Sequence, residues 1–277
     1  MKKLLFSILF YPTVLLAAET GYRLDRAPID QRDLLSLQSG ARLFVNYCLN
    51  CHGAQYMRYN RLTDLGLTEA QIKDNLILTE AKSGDTMKVP LSAKDGKAMF
   101  GVAPPDLSVI GRSRSADWLY TYLRTFYRDS RSATGWNNAL FPQVAMPHPL
   151  WEAQGPRVTT VVSIYEVTDP NTKKAAGHEK STVTFDENGL RTEKKEKLPV
   201  GAHHPGTEIS FAPARAGEKS SIVAYDAAVR DLVNFLVYVA EPNVVSRQNI
   251  GIVVLFVLGV LLIFVYALKK EYWKDVH

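Results

Sequence analysis

Cys48-Leu49-Asn50-Cys51-His52 holds both cysteines of the 277-residue chain, and the rest of the sequence is best read outward from it. Side chains three residues apart share one face of a helical turn, so both thiols can reach the same edge of a planar group. A porphyrin carrying two vinyl groups on that edge would be held there by two thioethers. His52 follows directly, placed to bring an imidazole beneath the iron, and a neutral imidazole is the usual proximal ligand of haem iron. The pattern reads as a covalent haem attachment site. A thioredoxin-like dithiol would need a βαβ unit around the pair, whereas the residues before Cys48 form one amphipathic helical pattern. Zinc would need two more ligands at matched spacing, and there is no second cysteine pair.

That preceding helix carries Leu37, Ala41, Phe44, Val45 and Cys48 on one face, and Gly40 within it would let a second helix approach closely. Val229, Leu232, Val233, Leu236, Val239 and Ala240 form another such face, with Asp226 expected as N-cap and Pro242 just past the end. A third helical stretch, about Asp117 to Tyr127, carries Leu119, Tyr122, Leu123 and Phe126. Between the first and third the chain is dominated by loops, in which Pro104 and Pro105 would stiffen the backbone along a haem edge.

From Val158 to Ser220 the character changes. Val158 to Val167 is rich in β-branched residues and partly alternating, which predicts a strand. Thr182–Phe185 and Leu190–Thr192 flank Asp186-Glu187-Asn188-Gly189, a hairpin signal. The cluster Lys194, Lys195 and Lys197 reads most simply as a solvated turn. No internal repeat is visible.

The two ends place the chain in a compartment. Two lysines, an apolar run from Leu4 to Leu16 broken by Pro12, and the small residues Ala17 and Ala18 predict a secretory signal peptide over 1–18. Ile250 to Leu268 is a run of 19 residues without a charge; at 1.5 Å per residue it covers roughly 28 Å, about the hydrocarbon thickness of a bilayer. It shows no polar stripe, so it reads as a membrane anchor over 249–269. Lys269, Lys270 and Lys274 follow it, which puts the 270–277 tail in the cytoplasm and the 19–248 portion outside. Of the net charge of +5, Lys2 and Lys3 lie in the leader and one further net charge in the tail, leaving +2 for the external portion. Nothing in this balance points to nucleic acid.

A haem held by one histidine needs a second axial group or an open site. Met57, Met87, Met99 and Met146 are the thioethers of the mature chain. Met146 is the best placed, because Phe141-Pro142-Gln143-Val144-Ala145-Met146-Pro147-His148-Pro149 cannot be a regular helix and Pro147 keeps Met146 extended. His148 is its chief rival, and a plain core role for Met146 is the ordinary alternative. The choice bears on redox chemistry, since a thioether opposite histidine gives a higher potential than two histidines.

With these residues in view the chain resembles cytochromes c1, the haem subunits of cytochrome bc1 complexes. The likeness runs through Cys48–His52, Ala103-Pro104-Pro105-Asp106-Leu107-Ser108, Ala145-Met146-Pro147-His148, Tyr225–Asp231 through Ala240-Glu241-Pro242, and the single C-terminal anchor. It implies one covalently bound haem c on Cys48 and Cys51, with His52 and Met146 as axial ligands of the iron. It further implies that Pro105 lies against the ring and that Arg114, or Arg112 beside it, pairs with a haem propionate. No residue is carried over between Val158 and Ser220.

The fold expected from this likeness is mainly α: a class I cytochrome c-like haem domain with loop and β-hairpin insertions, plus one C-terminal transmembrane helix. The function it implies is electron transfer within a ubiquinol–cytochrome c oxidoreductase. One electron would pass from a Rieske iron-sulfur protein to a soluble or membrane-attached cytochrome c, beside cytochrome b. The site would be a bacterial inner membrane, crossed once, with the haem domain in the periplasm. By itself such a chain is a carrier, and it is enzymatic only as part of the assembly. The rival readings are a membrane-anchored cytochrome c serving another dehydrogenase or terminal oxidase, and a haem enzyme or gas sensor with an open sixth site.

Overall fold

The computed structural model describes residues 22–168, 175–199, 206–214 and 219–274; the expected signal peptide lies outside the described residues. Helix α1 (Leu34–Leu43) starts at Asp33, whose carboxylate accepts the Ser36 amide and so satisfies one of the free amides of the first turn. It runs directly into a π-helical turn, Phe44–Cys48, which delivers the cysteine pair. The five residues predicted to share its inner face, Leu37, Ala41, Phe44, Val45 and Cys48, are all buried.

Their partner is α7 (Lys219–Ala240), whose Val229, Leu232, Val233 and Leu236 belong to the same core. The two helices cross at Gly40. A Cβ there would stand 2.0 Å from the Asp231 carbonyl oxygen and 2.6 Å from Phe235 Cβ, so no other residue fits without moving backbone. Around the crossing, Ser36 Oγ donates to Asp231 Oδ1 (2.7 Å), Asn234 Nδ2 donates to the Asp30 carbonyl (2.7 Å), and the Phe44 and Phe235 rings pack at 5.6 Å.

Asp226 does not cap α7. The helix begins well before it, at Lys219, and Asp226 instead holds Arg124 in a two-pronged ion pair at 2.7 and 2.8 Å.

Short elements fill the space between. The chain runs through β1 (Ala54–Arg58), a 3₁₀ helix (Tyr59–Leu65), α2 (Glu69–Leu76), β2 (Thr86–Met87) and α3 (Ala93–Phe100). It continues through α4 (Ile110–Ser113), α5 (Ala116–Arg124), β3 (Phe126–Arg128), β4 (Trp136–Asn138) and α6 (Trp151–Gln154). α4 sits on α7 through Gly111, where a Cβ would lie 2.9 Å from Val237 Cα. The third expected helix stops earlier than its pattern suggests. Thr125 Oγ1 donates back to the Thr121 carbonyl (2.8 Å), and the next three residues pair with β4.

The insertion is larger than a hairpin. β5 (Arg157–Thr168), β6 (Ala175–Phe185), β7 (Arg191–Leu198) and β8 (Gly206–Pro213) make an antiparallel sheet in the order β7-β6-β5-β8. The Asp186–Gly189 turn is where the sequence puts it, but β8 returns from far along the chain to pair with β5. With about 45 % helix and 21 % strand, the fold does not clearly bear out a mainly α class: helices surround the Cys48–His52 segment, and the insertion is β. Lys194, Lys195 and Lys197 lie on the edge strand β7 and not in a turn, where charge discourages further pairing.

α8 (Val244–Tyr272, 29 residues) has its side chains exposed and is, among the described residues, the one helix long and apolar enough to cross a membrane.

The α1–α7 crossing makes a direct test. Gly40→Ala should lower the thermal unfolding midpoint, by a destabilisation of about 1–3 kcal/mol, although alanine is the better helix former by about 1 kcal/mol. An unchanged midpoint would mean the helices part freely.

Candidate haem site

The π-helical turn sets the motif. The Leu49 amide reaches back to the Phe44 carbonyl (2.9 Å), and both Cys51 and His52 amides bond the Cys48 carbonyl at 3.1 and 2.8 Å. Such one-turn widenings tend to occur at functional positions. Cys48 is buried and Cys51 half-buried, and both are free thiols. Burial, with the neighbouring Cys51 adding to it, pushes the Cys48 thiol up to about 12, so in the folded chain it is not a thiolate.

His52 Nδ1 lies 2.8 Å from the Pro105 carbonyl oxygen. A carbonyl only accepts, so Nδ1 carries the proton and Nε2 is left with its lone pair free, the state in which imidazole binds a metal. Burial lowers the pKa of His52, with the Pro105 bond and Asp106 opposing in part.

The loop that carries Pro105 is laced to the residues just after the motif. Leu107 N–H donates to the Gly53 carbonyl (2.7 Å), Gln55 N–H to Asp106 Oδ2 (3.0 Å), and Tyr56 N–H to Ser108 Oγ (3.0 Å). Asp106 Oδ1 also accepts the Ser108 amide (2.9 Å). The Pro-Pro-Asp-Leu-Ser block is therefore the clamp that holds Pro105 against His52.

Met146 belongs to a second group. It packs with Phe126, Trp136, Val144 and Tyr122, and the Tyr122 hydroxyl donates to its Sδ at 3.6 Å. Tyr122 stacks on Trp118 (4.8 Å, 13°), and the Arg114 guanidinium sits 5.1 Å over the Trp118 ring. Arg112 and Arg114 are both exposed. Tyr122 joins the two groups, since it packs both against the core that contains Cys48 and against the Met146 cluster.

His148 packs on the same aromatic residues as Met146. It is buried, stacked on Phe126 (4.7 Å, 4°), with Trp136 and Tyr225 edge-on at 5.1 and 6.2 Å. Burial and the nearby Arg157 and Arg128 hold its pKa well below 6.5.

Two residues that pattern reading passes over organise this side. Asn138, fully buried, accepts the Leu140 and Phe141 amides (both 3.0 Å) on Oδ1 and donates to the Tyr122 carbonyl (2.8 Å), so one side chain fixes both the Met146 loop and α5. In the sequence, only the Asn137-Asn138 pair ahead of a proline-rich loop hints at this. Arg157 donates to the Arg124 carbonyl (2.9 Å) and the Phe126 carbonyl, and burial brings its pKa down to about 10.

The donor set fits a covalent haem: two unpaired thiols three residues apart, an imidazole whose Nε2 is free, and a thioether with one lone pair occupied by a phenol and one open. No group of three or more His, Cys, Asp or Glu suited to a bare metal ion occurs among the described residues.

Residues 25–159 and 215–276 match the model of the family described as the Cytochrome C1 family. The chain is 42 % identical, over all of its length and 99 % of the relative, to a protein of Nitrosomonas europaea named ammonia monooxygenase gamma subunit. It is 41 % identical over the full length of both chains to cytochrome c1 of Allochromatium vinosum. To cytochrome c1 of Rhodospirillum rubrum it is 25 % identical over 88 % of this chain and 83 % of that one.

His148 makes a pH-dependent contribution to stability. An unfolded histidine titrates near 6.5 and the folded one well below it, so the unfolded state binds more protons in between and stability falls as pH drops below about 6.5. Thermal unfolding midpoints measured from about pH 7 to pH 5 should fall more steeply for the native protein than for His148→Phe; parallel curves would assign the acid sensitivity to other groups.

Proposed function

The chain belongs to the Cytochrome C1 family, and from that premise we propose that it serves as the one-electron relay of a quinol-oxidising membrane complex. It is a haem electron-transfer protein with one covalent haem c. When bound, that group supplies reversible one-electron chemistry at its iron. Cys48 and Cys51 would attach it, and His52 Nε2 and Met146 Sδ would hold its iron. The observation that carries this reading is the His52–Pro105 hydrogen bond, which fixes the tautomer in which Nε2 can coordinate.

Met146 is preferred to His148 on physical grounds. Its loop leaves the thioether partly accessible with a lone pair to spare, whereas the His148 ring is enclosed by Phe126, Trp136 and Tyr225. Held by both donors, such an iron would offer no open position to oxygen or peroxide, and no side chain has to act as acid, base or nucleophile. Pro105 would wall the ring edge. The exposed Arg114 would reach a propionate by leaving or sliding along the Trp118 face.

The apolar helix α8 anchors the protein in the inner membrane of a bacterium. The lysines after it favour a cytoplasmic C-terminus and a periplasmic haem domain. The donor would be a Rieske iron-sulfur protein beside cytochrome b, and the acceptor a soluble or membrane-attached cytochrome c.

The name of the Nitrosomonas relative supports a second reading, in which a chain of this kind serves another oxidoreductase. Copurification separates the two. Detergent-solubilised protein should bring cytochrome b and a Rieske subunit with it, and a preparation containing neither would favour the second reading.

Ligation is tested by Met146→Leu. The reduction potential should fall sharply and the reduced protein should bind carbon monoxide; an unaltered spectrum would remove Met146 as ligand. His148→Phe should leave the thioether-to-iron absorption in place.

A further inference from the structure

The hydroxyl of Tyr122 is not accounted for by attachment, axial ligation or packing. It is the one side-chain hydrogen-bond donor to Met146 Sδ among the described residues, at 3.6 Å, in keeping with the longer bonds that sulfur accepts. The ring has little freedom to turn away. Trp118 stacks on one face and Phe126 meets it edge-on at 5.0 Å and 70°. Behind it, Asn138 holds the Tyr122 carbonyl (2.8 Å) and, through its other atom, the start of the Met146 loop. Asn137 Oδ1 takes the Gln143 amide (2.9 Å) farther along the same loop. Asn138 thus ties the residue that carries the phenol to the loop that carries the thioether, and Asn137 braces that loop.

We propose that Tyr122 is a positioning and tuning residue for Met146: its hydroxyl occupies one sulfur lone pair, which directs the other outward, and draws electron density from the thioether. This rests on Met146 being the sixth ligand. A thioether that donates less stabilises the oxidised iron less than the reduced iron, so Tyr122 raises the reduction potential. The same bond restrains rotation about the Met146 side chain, which slows its displacement by an external ligand. Both consequences depend on the hydroxyl and neither on the ring, whose packing a phenylalanine reproduces.

The test uses the full-length, haem-loaded protein in detergent, with two substitutions. Tyr122→Phe should lower the midpoint of a redox titration, shift the near-infrared thioether-to-ferric-iron absorption without abolishing it, and speed carbon monoxide binding to the reduced form. Tyr225→Phe removes another tyrosine hydroxyl, the one donating to the Leu123 carbonyl (2.7 Å) and lying 3.5 Å from His148 Nε2, without touching Met146, so it should lower the unfolding temperature and leave the potential alone. A Tyr122→Phe protein with native potential and absorption overturns the proposal, as does a potential shift of equal size in Tyr225→Phe. Absence of the thioether absorption from the native protein overturns the ligand assignment itself, which separates that failure from one confined to Tyr122.

Discussion

The close crossing of α1 and α7 at Gly40 is the constraint on which the rest depends. A backbone carbonyl of α7 stands where a Cβ would go, so the two backbones are in van der Waals contact at that point. That contact brings Phe44 onto Phe235 and buries Val45 and Cys48 in the same core, which fixes where the π-helical turn ends. The polar ring of Ser36, Asp231, Asn234 and Gln31 locks the rotation of one helix about the other, since the Gln31–Asn234, Ser36–Asp231 and Asn234–Ser36 bonds form only in this register. The cysteine pair is thereby presented from a rigid platform, with one thiol buried and the other at the surface of the core.

Around Met146 the protein uses hydrogen bonds where it used close packing before. The Met146 loop has no regular structure, and its prolines remove amides that could have supported it. Its order comes from Asn137 and Asn138 at the end of β4, which collect the amides of the loop and tie them to α5. Tyr122 lies between the two halves and touches both cores. A displacement of α5 would therefore reach Met146 through the phenol and the Asn138 side chain together.

The legible parts are those in which one segment carries its own pattern. The apolar spacing in α1 and α7, the Cys-x-x-Cys-His motif, the uncharged run in α8 and the turn at Asp186–Gly189 each state their structure locally. Gly40 is legible as a close approach because a bare position on the inner face of a helix loses helical propensity unless a neighbour fills the space. The parts that are not legible need a partner distant in sequence. β6 begins Ala175-Ala176-Gly177-His178-Glu179-Lys180, with no alternation, and is a strand because β5 and β7 flank it. Asp226 looks like a cap and is an ion-pair partner because Arg124 lies across from it. The role of Asn138 depends on Thr125, Tyr122 and Leu140 converging, which no window of sequence displays. Within the site, Pro105 could be singled out, but its reason, an acceptor for His52, required the fold.

The sheet is a different case, because residues 160–214 fall outside the part that matches the family. Its outer reaches are polar and carry ion pairs such as Lys194–Glu196, as expected of strands standing in water. Its base is different. Arg157, just before the unmatched stretch, donates to the carbonyls of Arg124 at the end of α5 and Phe126 at the start of β3, and Phe211 of β8 covers its guanidinium at 4.3 Å. Phe185, Val161 and Ile209 then pack on Tyr127, one residue past Phe126. The free carbonyls at a helix C-terminus are a place where a cation is stabilised without a carboxylate. The insertion thus caps the helix that carries Tyr122 and abuts the strand that carries Phe126. A sheet attached there braces α5, and its outer surface can vary while its root stays tied to the segment from α5 to β3.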